Sequence, residues 1–517
     1  MNRGDSPPTA TRVSGIVKEK ATTPTNPQRS PVVGVGTGVG REAIALLLFV
    51  MNDDSSARIV AALRAVVADA APGARLPSTR ALVAEHQASP VTVQKALRTL
   101  AAQGLVESRP GAGTFVRAVR VVRPADHGWQ TAALRASPGL GSPVSSTMRD
   151  VPNDVVALQS GYPARELLPE RLVRAALARA ARADVALSRS PVAGLPELQG
   201  WFATELARAT PSGVTPPAPA DVTVLPGSQS GLSSIFRSLV GAGRPLLVES
   251  PTYWGALTAA ASAGVRVVPV PSGPEGPAVD DLARAFAETG ARAFYAQPSF
   301  ANPTGARWTA TRSLEILAVA REHGAFVVED DWAHDLGIDA EPTPLAVHDD
   351  GGHVVYLRSL TKSVSPSLRV AAVVARGPAR ERIRNDRAAE AMYVSGVLQA
   401  AALDVVTQPA WRTHLRQLRV QLRSRRDLLV TSLREHAPEA HVELVPTGGL
   451  NLWVRLPDGT DVDRLVRRCE ADGVLLASGR EWFPAEPTGP YVRLNFAGPR
   501  PEAFAEAAVV LGRALRS

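Results

Sequence analysis

Lysine is almost missing from this chain. Of its 57 Lys and Arg residues only four are lysine, and beyond Lys18 and Lys20 just two occur, Lys95 and Lys362. Arginine stays protonated at physiological pH, whereas a lysine amine can lose its proton and attack a carbonyl. Where arginine is the general surface cation, a retained lysine marks a position that needs this other chemistry. Lys362 lies in Ser359-Leu360-Thr361-Lys362-Ser363-Val364-Ser365-Pro366-Ser367-Leu368-Arg369, a context that reads as the anchor of an aldehyde cofactor. Cysteine is scarcer still. Cys469 stands alone in 517 residues, which excludes an internal disulfide, gives no cysteine–metal site and points to a reducing cytoplasm. Long apolar runs are lacking as well. The stretch 43–51 is far short of a bilayer span, so no membrane role is expected. It lies too deep, behind a polar Pro/Thr/Gly-rich segment, for an ordinary signal peptide. Residues 1–50 are expected to be disordered. Met51-Asn52-Asp53-Asp54-Ser55 reads as the native start, because helical periodicity begins directly after it.

The length predicts two or three domains, and 45% hydrophobic residues suit a globular chain. A formal net charge of +8 is compatible with nucleic acid. In 56–71, Ile59, Leu63, Val66 and Val67 recur at helical spacing, and Gly73 stops the helix. Ser78 is placed to cap a second helix through about Glu85, with 87–89 as the turn. Ser89 then caps a third, 90–103, with Pro90 at its first position. Val93, Leu97 and Leu100 form its buried stripe, leaving Val91, Thr92, Gln94, Lys95 and Arg98 outward. Segments 105–108 and 114–117 pair around Arg109-Pro110-Gly111-Ala112-Gly113. A helix, a helix-turn-helix and a glycine-rich hairpin make a winged helix, which sets one helix in the major groove of double-stranded DNA. Across 51–120, nine basic residues face five acidic ones, suiting phosphate contact.

The run Gly73…Leu76-Pro77-Ser78…Arg80…Leu82…Ser89…Thr92-Val93…Ala96-Leu97…Leu100…Gly104-Leu105-Val106…Gly111…Gly113-Thr114-Phe115-Val116 resembles the GntR-type winged helix. The resemblance implies DNA contacts from Arg80, Thr92 and Gln94, with Gly111 letting the wing approach the backbone. Ser89 and Lys95, at the start and on the outer face of the same helix, join this DNA-binding set. Pro90 stands where many relatives carry a guanine-reading arginine, so that contact is absent. The winged helix is assigned to 51–118. Residues 119–155, rich in Arg, Pro, Gly and Ser, read as a solvated surface linker.

From 221 onward, apolar strand-like runs alternate with helical ones. Strands are expected at 221–225, 245–249, 265–270, 293–296, 325–328, 354–357 and 370–374, and helices at 230–240 and 255–263. This predicts an α/β domain with a mainly parallel sheet, whose ligands sit at the carboxyl ends of the strands. Several motifs fall there. Gly227-Ser228-Gln229-Ser230 opens a helix whose free N–H groups suit a phosphate. Tyr253 offers an aromatic face, and Asn302-Pro303-Thr304-Gly305 is a turn. Glu329-Asp330-Asp331-Trp332 ends a strand, where buried acids need partners. Ser359 and Arg369 flank Lys362 with groups suited to a phosphate.

In this order and spacing the motifs resemble the aspartate-aminotransferase fold, fold type I of the pyridoxal 5′-phosphate (PLP) enzymes, over about 155–515. The resemblance implies Lys362 as the Schiff-base lysine and Asp330 as partner of the pyridine nitrogen. Tyr253 would stack on the ring, and Asn302 would bond the 3′-oxygen. Ser228, Gln229, Ser359 and Arg369 would hold the phosphate. Arg493, in Tyr491-Val492-Arg493-Leu494-Asn495-Phe496, matches the arginine for a substrate carboxylate. Trp332 stands where relatives carry a tyrosine bonding the 3′-oxygen; its indole can donate a hydrogen bond but cannot act as a phenol acid. The tyrosine that reaches across the dimer to the phosphate is also missing. Residues 156–517 are assigned to this domain, with the large part at about 220–405 and a small α+β part at about 156–219 and 406–517. Helices of the small part are expected near 412–436 and 502–515.

The combination resembles the MocR family of bacterial transcription regulators, which implies a head-to-tail homodimer reaching DNA half-sites. Three functions follow as expectations. The first is a regulator that senses PLP, or PLP joined to an amino acid or amine effector. The second is a working aminotransferase that also binds DNA. The third is a DNA-binding protein whose larger domain is only a dimerisation scaffold.

Overall fold

The computed structural model describes residues 41–117, 145–149 and 155–517. It divides into two units, Met1–Ala133 and Leu134–Ser517. The first is built on three helices, α1 (Arg41–Asp69), α2 (Thr79–His86) and α3 (Pro90–Ala102), and a hairpin of β1 (Val106–Arg109) with β2 (Gly113–Val116). The disorder expected for 1–50 does not hold for 41–50, which is helical. No glycine or proline interrupts 41–69, so nothing stops the helix from propagating back to Gly40. Residues 1–40 lie outside the described residues. Ser78 caps α2 by accepting from Ala81 N, and Ser89 caps α3 by accepting from Thr92 N. Gln87, left-handed at φ 50°, turns the chain between them.

The core of this unit is Ile59, Val60, Leu63, Leu82, Val93, Leu97 and Leu100, closed by Val106 and Val116 from the hairpin. Two expected orientations are corrected. Val66 is exposed, because Ser56, Val60, Leu63 and Val67 define the inward stripe of α1 and Val66 falls at its edge. Thr92, expected to face out, is 4% exposed, and its hydroxyl is bonded to that of Ser89 at 2.8 Å.

The second unit carries β3 (Val156–Ala157), β4 (Val222–Leu225), β5 (Pro245–Ser250), β6 (Arg266–Gly273), β7 (Gly276–Pro277), β8 (Ala293–Ala296), β9 (Phe326–Asp331), β10 (Val354–Ser359) and β11 (Ala371–Val374). An eight-stranded sheet runs β4-β11-β10-β9-β8-β5-β6-β7. β10, β9, β8, β5 and β6 pair in parallel; β11 and the short β7 pair antiparallel with their neighbours. Its central strands are apolar up to their carboxyl ends, because helices cover both faces. One face packs on the helices Glu170–Ala180, Pro196–Ala209, Val279–Thr289, Ala310–Glu322 and Gly396–Thr407. The other packs on Ser228–Ile235, Trp254–Ser262 and Gly377–Ala391. The helix expected at 230–240 starts at Ser228 and loosens into a π-turn over Phe236–Val240.

A smaller body follows, with β12 (His441–Val442), β13 (Asn451–Arg455), β14 (Val474–Leu475), β15 (Ala477–Ser478) and β16 (Tyr491–Asn495). Four of these form an antiparallel sheet, β12-β13-β16-β15, packed on the helices Pro409–His436, Val462–Ala471 and Phe504–Leu515. The segment 156–219, expected whole in this body, divides. Val156, Leu158 and Leu167 join its core, but the helices Glu170–Ala180 and Pro196–Ala209 bury Ala176, Phe202 and Leu206 against the large sheet. Among the described residues, no helix is long and apolar enough to cross a membrane.

Candidate functional site

Side chains alternate across a strand, so the three acids ending β9 point to different places. Glu329 accepts from the backbone N–H groups of Leu345 and Ala346 at 2.7 and 2.9 Å. Burial pushes it up to about 8, with Asp331 adding to the rise. Asp331 accepts from the Tyr356 hydroxyl at 2.7 Å and lies 2.6 Å from His334 Nδ1. Burial raises it, but His334, Tyr356 and Arg358 together hold it below the usual range. Asp330 faces the opposite way, toward a cavity of about 370 Å³. Its Oδ2 accepts from Tyr295 at 2.9 Å and Gln297 at 2.8 Å, and its Oδ1 has no partner. Burial pushes Asp330 up to about 6 against those two donors.

Ser228, Gln229, Tyr253, Asn302, Asp330, Trp332, Ser359, Lys362, Arg369 and Arg493 all line this one cavity. Lys362 Nζ donates to the Gly161 carbonyl at 2.8 Å and sits 3.2 Å above the Tyr162 ring centre. Burial, then Arg493 and Arg369, hold its amine well below the usual lysine value, with Asp330 opposing. A neutral amine is the nucleophilic form. Arg369, at φ 50°, lies against Gly227, where a Cβ would strike the guanidinium. The Tyr253 hydroxyl donates to Gln229 Oε1 at 3.2 Å, and Gln229 Nε2 donates to the Gly255 carbonyl at 2.7 Å. Asn302 is buried with its Oδ1 open. Arg493 Nη1 donates to Asn451 Oδ1 at 3.0 Å, Nη2 donates to the carbonyls of Gln159 and Ser160, and Nε is unpartnered. Buried groups normally find partners, so open atoms on Asp330, Asn302 and Arg493 around one cavity mark ligand positions. A ring with a protonated nitrogen, a phosphate arm and an aldehyde fits this donor set.

Trp332 requires a correction. It lines the cavity, but its Nε1–H donates to the Phe300 carbonyl at 3.1 Å, so the N–H is not free for a cofactor oxygen. Sequence reasoning also missed several walls of the cavity: Thr147, Met148, Gly161, Tyr162, Trp254 and Gln297. Gln297 was detectable as a lone amide directly after the apolar β8. Thr147 and Met148 carried no signal, because 119–155 reads as a solvated linker. Residues 145–149 instead belong to the second unit and are held within it. Ser145 Oγ donates to Glu481, Ser146 N donates to Glu481 Oε1 at 3.2 Å, and Arg149 pairs with Glu470. The rest of 119–154 lies outside the described residues.

In the first unit, Arg80, Ser89, Gln94 and Lys95 are exposed, and Thr92 lies beneath the Ser89 cap. Gly111 sits at the hairpin turn at φ 73° with open space where a Cβ would be.

Comparison with known proteins matches two families. The profile of the aminotransferases of class I and II covers residues 153–511, and that of the bacterial regulatory proteins of the gntR family covers 55–116. The HTH-type transcriptional regulator YdfD of Bacillus subtilis is 26% identical over 439 residues, 82% of this chain and 88% of its own. The probable rhizopine catabolism regulatory protein MocR of Rhizobium meliloti is 29% identical, over 84% of this chain and 87% of its own. The crystal structure of LysN, the α-aminoadipate aminotransferase of Thermus thermophilus complexed with N-(5′-phosphopyridoxyl)-L-leucine, superposes with a TM-score of 0.67. It is 30% identical and covers 75% of this chain and 98% of LysN.

Proposed function

This chain belongs to the aminotransferases of class I and II and carries a gntR-family regulatory domain ahead of that fold, and from this we propose that it is a DNA-binding transcription regulator of MocR type. Its larger domain holds PLP and responds to an amino acid or amine. The observation that carries this reading is the place of Thr147 and Met148. The chain leading from the winged helix ends as a wall of the Lys362 cavity. A ligand there touches Thr147 and Met148, in the sequence between the winged helix and the sheet domain, so filling the cavity bears on this segment.

Bound PLP supplies an electrophilic carbonyl and an electron-withdrawing ring. Lys362, whose amine is made a weaker base by burial, Arg493 and Arg369, would present it to that carbonyl. Asp330 offers its open Oδ1 to the ring nitrogen and keeps a proton there. Asn302 and Tyr253 orient the ring; Ser228, Gln229, Ser359 and Arg369 hold the phosphate; Arg493, with Nε open, takes the carboxylate of an amino acid. Trp332 contributes its ring face only. On DNA, α3 offers Gln94 and Lys95 to the major groove, Arg80 contacts the backbone, and Gly111 lets the wing approach. Ser89 and Thr92 fix the start of α3.

The protein acts in the cytoplasm as a head-to-tail dimer on operator half-sites. Exposed apolar side chains support the dimer: Leu187 is 97% exposed, and Met392 and Tyr393 are exposed just ahead of the Gly396–Thr407 helix.

A second reading, a working aminotransferase, is favoured by the open Arg493 Nε and the depressed Lys362 amine. Trp332 counts against it, since no phenol stands there. Lys362→Ala separates the cofactor from DNA. The variant is expected to lose the visible absorption of bound PLP while keeping basal operator affinity. Unchanged absorption overturns the lysine assignment. Multiple turnover of an amino acid with a keto acid by the wild type would favour the enzyme.

A further inference from the structure

The far side of the sheet carries a second concavity, of about 790 Å³. It adjoins the cofactor cavity through alternate residues of the same strands. Ser359 of β10 lines the Lys362 cavity, while Arg358 and Tyr356 line this one. Five arginines line it, Arg208, Arg358, Arg412, Arg416 and Arg419, against three acids, Glu205, Asp335 and Glu341. Arg208 pairs with Glu205 and Arg419 with Glu341. Arg358 reaches Asp335 at 3.1 Å. Arg412 and Arg416 have no acid partner among the described residues, so the wall has a net positive charge.

Arg358 is 3% exposed, its guanidinium lies 5.0 Å from the Trp201 ring centre, and its Nε has no acceptor. The guanidinium is paired with Asp335 and, at 3.9 Å, with Glu205, which leaves the Nε–H as its one buried donor without an acceptor on this wall of the cavity.

We propose that this cavity is a second ligand site, taking a small dianion of carboxylate or phosphate type on Arg358, Arg412 and Arg416. The planar fork of arginine matches either anion. Asp335 links the site to the cofactor lysine. One of its oxygens accepts from Arg358, and the other accepts from the Ser363 hydroxyl at 2.7 Å, next to Lys362 in sequence. An anion on Arg358 competes with Asp335 for that guanidinium, which alters the charge balance of the carboxylate that holds the Ser363 hydroxyl. The residues that form this site are distinct from those that line the Lys362 cavity.

The test is calorimetric titration of the full chain, saturated with PLP and then freed of unbound PLP, with inorganic phosphate and, separately, succinate, at constant ionic strength. Bound PLP keeps the phosphate-holding groups around Arg369 filled, and removing the unbound cofactor leaves no competing phosphate. Saturable binding is expected, weakened about ten-fold or more in Arg412→Ala/Arg416→Ala, whose positions are on the surface and spare the fold. Arg358→Gln should weaken it at least as much, with its folding checked by thermal melting. Preference for phosphate would identify a phosphorylated ligand, and preference for succinate a carboxylic acid. Saturation by neither anion overturns the proposal, as does equal affinity in the double variant.

Discussion

Asp330 costs the cofactor-free protein stability in a pH window set by its own shift. Its carboxyl is raised from 3.8 to about 6, chiefly by burial. A raised acid is protonated more readily in the folded state. Below pH about 4 both states hold the proton and nothing is lost. Between pH about 4 and about 6 the unfolded chain releases this proton while the folded protein keeps it, so stability falls as pH rises across that window and the loss is complete above about 6, where the folded protein carries a buried charge. The two-unit shift corresponds to about 3 kcal/mol. Asp330→Asn is therefore expected to raise the melting temperature of the cofactor-free protein at pH 8, leave it unchanged at pH 4, and weaken PLP binding at both. An unchanged melt at pH 8 would contradict the assigned shift. At this scale the sequence was informative where one short motif held both partner and position. Alternating strands and helices located the ends of β8, β9 and β10 and the segments after them, and the resemblance singled out Asn302, Asp330 and Lys362 there. Tyr162, Met148 and Thr147 were not readable, because tertiary contacts bring them to the cavity from distant segments. For Trp332 the residue was legible but its partner, the Phe300 carbonyl, was not.

The helices and strands follow from local pattern, and departures arise where packing decides. β5, β8, β9 and β10 are apolar runs bounded by turns, so their burial on both faces was foreseeable. The helices at 170–180 and 196–209 also show apolar stripes, but a stripe does not say which sheet it faces. They pack on the large one. In the winged helix, Ser89 closes α3 at its N-terminus and holds Thr92. Ser89→Ala is expected to cost about 1 kcal/mol, lowering the first unfolding transition by about 4–8 °C. A transition that does not move would show that the cap contributes nothing. Arg80→Ala should weaken operator binding for all sequences alike and reduce the salt slope by about 1, with PLP absorption intact. Equal affinity would contradict the placement of α2 on the DNA backbone.

At the scale of the whole molecule, the segment 145–149, between the winged helix and the sheet domain in sequence, walls the ligand cavity with Thr147 and Met148. Glu481 fixes this segment through Ser145 and Ser146. Glu481→Gln should raise amide exchange across 145–149 without changing the fold. Exchange equal to the wild type would mean that Glu481 does not hold the segment. The most direct measurement is fluorescence anisotropy with DNA from just upstream of this protein's own gene, at fixed salt, with no ligand, with PLP, and with PLP plus an amino acid or amine mixture. The account predicts an operator affinity that shifts several-fold when the cavity is filled, and a shift that disappears in Lys362→Ala. Tight binding with the same affinity under all three conditions would contradict it.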